Sequence, residues 1–200
     1  MKQEEKTAIT KEKILTAAEK EFSEYGFGAA RVDNIASTSG INKKLIYSHF
    51  GNKEELYATV LDNVYTRLSD YEDMISQKEF LGVESIRETI LQYFEFLATN
   101  PSFVRLVLWE NLGGAKYADA VHSGIFAGAK ELLHKGIKSG VVRSDLDVEQ
   151  TVMSMNMFCF SAFSNSNTVS KLLGKDLSAR EELDKRANHI ADVLIKYIFD

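Results

Sequence analysis

Two hundred residues, 44% of them apolar and only one of them proline, can bury a core in one domain or two small ones, and with few glycines they point to an all-α chain. The single cysteine, Cys159, excludes an internal disulfide framework and fits a reducing cytoplasm. An N-terminus without an apolar core and the lack of any run of about 18 apolar residues argue against export and membrane spanning, so the expected location is cytoplasmic. The net charge of −5 is unevenly placed: residues 1–56 hold nine basic and nine acidic side chains, so the acidity falls in the remainder.

The first predicted helix starts at Thr10, as a cap, and puts Ile14, Ala17, Ala18, Phe22 and Tyr25 on one face. Gly26 is placed to end it in a left-handed turn. In the second, Val32, Ile35 and Ala36 share a face, and Ser37-Thr38-Ser39-Gly40 breaks the pattern. Gly40 suits a left-handed backbone because it has no Cβ to clash. Ile41 returns to the core and Asn42 can cap a third helix, Lys43 to Phe50. That helix is expected to turn Leu45, Ile46 and His49 or Phe50 inward and Lys43, Lys44, Tyr47 and Ser48 outward. Gly51 stops it, and Asn52 and Glu55 have capping-box spacing at the start of a long helix over 53–76.

Helix, short glycine-containing turn, helix is the arrangement by which many proteins read DNA. The lysine-rich outer face of the third helix sets it apart from an ordinary solvated amphipathic hairpin. Lys43 and Lys44 are candidates for base or phosphate contacts, and Tyr47 can give a hydroxyl to a phosphate and a ring to a thymine methyl. Asn42, His49 and Lys53 are placed for phosphates, Lys53 beside a helix N-terminus that itself attracts anions. Arg31 and Ser48 are further candidates.

Residues 10–61 resemble the N-terminal DNA-binding domain of the TetR family of transcriptional regulators. The resemblance rests on Ile14, Ala17, Ala18, Phe22, Gly26-Phe27, Val32, Ile35-Ala36, Gly40-Ile41, Leu45 through Phe50, and Lys53 through Leu56. Ala30 stands where the family often has threonine, Asn42 where serine or threonine is common, and Lys44 where a small residue is common. The first two bear on individual phosphate contacts and the third on which bases are read. The resemblance implies a DNA-binding domain over 1–56 and a helical ligand-binding and dimerisation domain over 57–200. It implies a homodimer on a palindromic operator, most simply a repressor released by a small molecule. An activator, a ligand-independent repressor, or a helical adaptor that binds protein through 32–56 are the alternatives.

Beyond residue 82 the pattern predicts helices over 83–99, 101–112, about 118–139, 147–164 and 179–199, with Asn165 to Ser178 as a polar loop, about nine helices in all. Pro101 suits a first helical turn, and Gly140 a C-terminal cap. Aromatic and methionine side chains could wall a ligand pocket: Phe94 and Leu97, then Phe103, Val107 and Trp109, then Phe126, Met153, Met157 and Phe160. Glu110, Asn111 and Asn156 are the polar groups among them; a buried amide such as Asn156 needs a partner, either structural or a ligand. The helix over 148–164 is apolar nearly all round, which suggests a self-complementary surface. The resemblance implies that it and the final helix pair with their twins. Val152, Cys159 and Phe163, with Leu183, Ala187, Ile190 and Leu194, are the candidate contacts, unless they are core.

Nothing points to catalysis. There is no phosphate-cradling glycine motif and no GxSxG, and His49, His122, His134 and His189 are scattered. Glu131-x-x-His134 is half of a di-iron pattern without its second copy. No cofactor, metal or catalytic residue is expected.

Overall fold

The computed structural model describes residues 3–117 and 126–200, and these form ten helices: α1 (Gln3–Ala29), α2 (Val32–Ser39), α3 (Lys43–Phe50), α4 (Lys53–Ser76), α5 (Val83–Thr99), α6 (Pro101–Leu112), α7 (Ala127–Lys138), α8 (Val148–Ser164), α9 (Ser166–Leu173) and α10 (Arg180–Phe199). Among the described residues they form two compact units, one of residues 3–67 with 105–117 and one of 68–104 with 126–200. A division after residue 56 is therefore replaced by one inside α4. The first turns of α4 are committed to the first unit, because Leu56, Tyr57, Leu61 and Val64 are fully buried. The Arg67 guanidinium closes that stretch with a two-pronged bond to the Glu19 carboxylate, at 2.8 and 3.1 Å.

In the first unit, Ile14, Ala18 and Phe22 of α1 are fully buried, and the Phe22 ring meets Tyr57 edge-on at 4.9 Å. Thr10 does not cap α1. It lies inside the helix with its hydroxyl donating to the Lys6 carbonyl at 2.8 Å, and Glu4 and Glu5 supply the acidic first turn instead. Tyr25 is exposed rather than packed, although its spacing places it on the buried stripe. Gly26 breaks α1 with φ +67°, and a Cβ there would lie 2.7 Å from the Trp109 ring of α6. Trp109 is fixed in that seat by its indole N–H, which donates to the Ser23 carbonyl at 3.2 Å.

In the second unit, α5 and α10 pack on each other and on α8, with α7 against α8. The core is built from Ile86, Ile90, Tyr93 and Leu97 of α5, Leu132 and Leu133 of α7, Met155 and Cys159 of α8, and Ile190, Ala191 and Ile198 of α10. Gly140 follows α7 with φ +73°, as its position suggested. The expected helix from 118 is observed from Ala127; residues 118–125, with His122 and Gly124, lie outside the described residues.

The loop expected over 165–178 is in part a helix, α9, which accounts for the tenth element. Val169, Leu172 and Leu173 recur at helical spacing within its serines and asparagines, and all three are exposed, Leu172 at 79%. The Ser170 hydroxyl accepts from the Leu177 N–H at 3.0 Å and ties the following turn back to α9.

Candidate nucleic-acid interface

α2 and α3 are set by short-range chemistry. Gly40 ends α2 in the left-handed conformation, with φ 70° and ψ 17°. The Asn42 side chain accepts from the Leu45 N–H at 2.9 Å and caps α3. The Asn52 side chain does the same for α4, accepting from the Glu55 N–H at 2.8 Å, while its amide donates to the Glu55 carboxylate. Less visible in sequence is Glu21 on α1. One of its carboxylate oxygens accepts both the Arg31 N–H, at 2.8 Å, and the Asn34 amide, at 3.0 Å. A carboxylate of the neighbouring helix thus holds the start of α2, where Arg31 has no side chain able to cap.

On α3, Ile46 is buried, and Lys43, Lys44 and Ser48 are exposed. Leu45 is exposed as well, contrary to the inward position expected from periodicity; on so short a helix only Ile46 reaches the core. Tyr47 and His49 are half-buried, His49 edge-on to Phe50 at 6.3 Å. Lys44 has no ion-pair partner among the described residues, whereas the Lys43 ammonium is held by the Asp33 carboxylate at 3.0 and 3.1 Å. That hydrogen bond moves the Lys43 pKa above its ordinary value. Lys53 is not simply solvated: its ammonium lies 4.8 Å from the centre of the Phe27 ring. The Arg31 side chain is exposed.

Residues 14–60 match the family described as bacterial regulatory proteins, tetR family, and residues 83–194 match the tetracyclin repressor-like C-terminal domain. The chain belongs to the TetR family of transcriptional regulators. It is 26% identical over 193 residues to the HTH-type transcriptional repressor NicS of Pseudomonas putida, covering 94% of this chain and 91% of that one. It is 36% identical over 103 residues to the HTH-type transcriptional repressor SCO4008 of Streptomyces coelicolor, covering 52% of this chain and 50% of the other. The TetR fold recurs in the crystal structure of the transcriptional regulator SCO4942 from Streptomyces coelicolor, with a TM-score of 0.74 at 22% identity over 94% of this chain and 98% of that one. It recurs also in FadR from Bacillus subtilis, solved in complex with stearoyl-CoA, with a TM-score of 0.67 at 22% identity over 93% and 98% of the two chains.

The pocket residues expected from sequence do not gather in one place. In the second unit, Phe94, Leu97 and Phe103 are buried core, and Phe126 and Phe160 are half-buried. Asn156 finds a structural partner, accepting from the Tyr93 hydroxyl at 2.6 Å. Met153 and Met157 are exposed, so they line no enclosed space. A small apolar hollow there, about 20 Å³, is lined instead by residues such as Ile86, Leu132, Met155 and Leu194. In the first unit Val107 is half-buried and Asn111 exposed, while Trp109 and Glu110 line a cavity of about 320 Å³.

The expected dimer contacts need correction for the same reason. Val152, Cys159, Ala187, Ile190 and Leu194 are buried within the chain itself and have no surface left for a partner. Phe163 is half-buried against the Phe94 ring at 4.7 Å, and Leu183 lines a groove of about 440 Å³ between α8, α9 and α10. The exposed apolar residues of these helices are Met153, Met157 and Phe158 on α8 and Val193 and Tyr197 on α10. Periodicity had found the stripe facing the chain's own core and missed the outer one.

Proposed function

We propose that this protein is a repressor that binds a palindromic operator as a homodimer and is released from it by a small molecule. What carries the reading is α3, whose exposed Lys43, Lys44 and Ser48 share a helix capped at Asn42 and set by the αL turn at Gly40. Of the two lysines, Lys44 is free to seek a base edge, while Lys43 must first exchange Asp33 for a phosphate. Lys53 and the N-terminus of α4 add backbone contacts. Two such helices related by a two-fold axis read half-sites about one helical turn apart. That NicS and SCO4008 are named repressors supports the sign of regulation. The outer apolar faces of α8 and α10 supply the pairing surface.

α4 contributes residues to both units without a linker, and it is the element through which a ligand in one unit would bias the other. The ligand acts only as far as it prefers the arrangement that cannot bind DNA. The test is gel-shift titration on the sequence flanking the protein's own gene, at several salt concentrations. Lys44→Ala should change the preferred sequence by about tenfold, whereas Lys53→Ala should weaken all sequences together and flatten the salt slope by about one. Unchanged affinity and slope in both variants would remove α3 and the start of α4 from the interface.

A further inference from the structure

Glu110 is an acid that the fold buries without neutralising. It is 7% exposed, and no lysine, arginine or histidine among the described residues pairs with it. One carboxylate oxygen accepts from the Tyr57 hydroxyl at 2.8 Å and the other from the Tyr117 N–H at 3.0 Å. A carboxylate offers about four lone-pair positions, so two remain open. Around it stand rings. Phe27 and Tyr57 are 5.2 Å apart, Tyr57 and Tyr117 5.2 Å, and Phe27 and Tyr117 5.6 Å. With Trp109, these rings and Glu110 line the cavity of about 320 Å³ in the first unit.

The segment between Gly113 and Lys116, which both line this cavity, is wound tightly. Gly114 and Ala115 both have positive φ, 77° and 55°, and the Ala115 N–H donates to the Glu110 carbonyl at 2.7 Å. A non-glycine residue in that region is strained, and such strain collects at ligand clamps. The Tyr117 hydroxyl is buried and has no hydrogen-bond partner among the described residues. Ammonium groups already use these rings: Lys53 lies over Phe27 at 4.8 Å and Lys116 over Tyr117 at 5.2 Å.

We infer that this cavity binds an organic cation, a protonated or quaternary amine on an apolar body, with Glu110 opposite the charge and the four rings around it. Carboxylate and ring faces act in the same sense, because both attract a cation. Lys116 is the group whose place over Tyr117 the ligand takes. The site lies in the first unit, on residues of α1, α4, α6 and the segment that follows it, and shares Trp109 and Glu110 with the pocket expected from sequence. Its effect on operator binding rests on the function proposed above; binding itself does not.

The chain's single tryptophan, Trp109, lines the cavity and reports occupancy without a label. Titration with benzyltrimethylammonium, without DNA, should give a saturable change in its fluorescence, while the neutral isostere neopentylbenzene and the anion phenylacetate should bind at least about tenfold more weakly. Glu110→Gln keeps an acceptor for Tyr57 and should lose the preference for the cation over the isostere. Lys116→Ala removes a competing charge and should strengthen cation binding. No saturable change, equal affinity for cation and isostere, or an unaltered preference in Glu110→Gln would overturn the assignment. Should Glu110→Gln fail to fold, the ranking of the three probes on the wild-type chain still decides. A gel-shift with the same probe is a separate arm: fluorescence binding without DNA release would refute the coupling and leave the site standing.

Discussion

The outer faces of α3 and α8 differ in kind. α3 buries only Ile46 and shows water two lysines and a serine beside Leu45; α8 buries Val152, Met155 and Cys159 and still shows Met153, Met157 and Phe158. Lysines are at ease in water, and on meeting a polyanion they gain through released counterions. Exposed methionines and phenylalanine gain only when another apolar surface covers them, by about 25 cal/mol for each Å² removed from water. Each of these faces is left unused by the chain's own fold, and a surface covering one would need the opposite chemistry of a surface covering the other.

The comparison breaks most sharply inside the first unit, which has little slack. Gly26→Ala combines a positive φ with a Cβ 2.7 Å from the Trp109 ring. It should cost about 2–4 kcal/mol in urea unfolding, from backbone strain and overpacking together. An unchanged unfolding midpoint would mean that Trp109 is not seated on Gly26 in solution.

A smaller effect, and one confined to association, is expected from the second unit. Met157 is 55% exposed, so Met157→Glu should leave the monomer's stability within about 0.5 kcal/mol. If two copies meet on this face, the charge should weaken the dimer by about 2 kcal/mol or more, roughly thirtyfold in Kd, read by sedimentation velocity. A dimer as tight as the wild type would take α8 out of the interface and leave its methionines without a partner.

Sequence disclosed the local fold of α2 and α3 closely because its signals are local. A glycine turn, an asparagine cap and a lysine pair act within one or two helical turns, and Gly40, Asn42 and α3 stand where their spacing put them. Periodicity also grouped Ala187, Ile190 and Leu194 of α10, which the structure buries together in the core. It failed where two apolar stripes share one helix, as on α8, since it cannot say which stripe faces home. It failed again where polar residues diluted the pattern, as in α9. The bracket of Glu21 on Arg31 and Asn34 and the meeting of Glu110 with Tyr57 join residues 10 to 53 positions apart. A single sequence holds no signal for such pairs.

The slightest expected effect separates the units by how each treats a buried acid. In the second unit, Glu72 is 3% exposed and its carboxylate accepts from the Ala129 N–H in the first turn of α7, at 3.3 Å. That turn has no cap of its own, because Phe126 precedes it with no side chain able to accept. Burial raises the Glu72 pKa above its ordinary 4.5, and the backbone N–H groups offset this only in part. A folded-state pKa above the unfolded one means that the folded chain binds the proton more tightly. The contribution of Glu72 is therefore fully present below pH 4.5 and is lost as pH rises through the folded value. Glu72→Gln keeps an oxygen for Ala129 and removes the charge. Its stability relative to the wild type should rise from pH 4.5 upward and then level off, as followed by urea unfolding at a series of pH values. A difference that stays flat across that range, or falls, would show that the first turn of α7 holds the carboxylate well enough to cancel its burial; Glu72 would then be a cap with no cost.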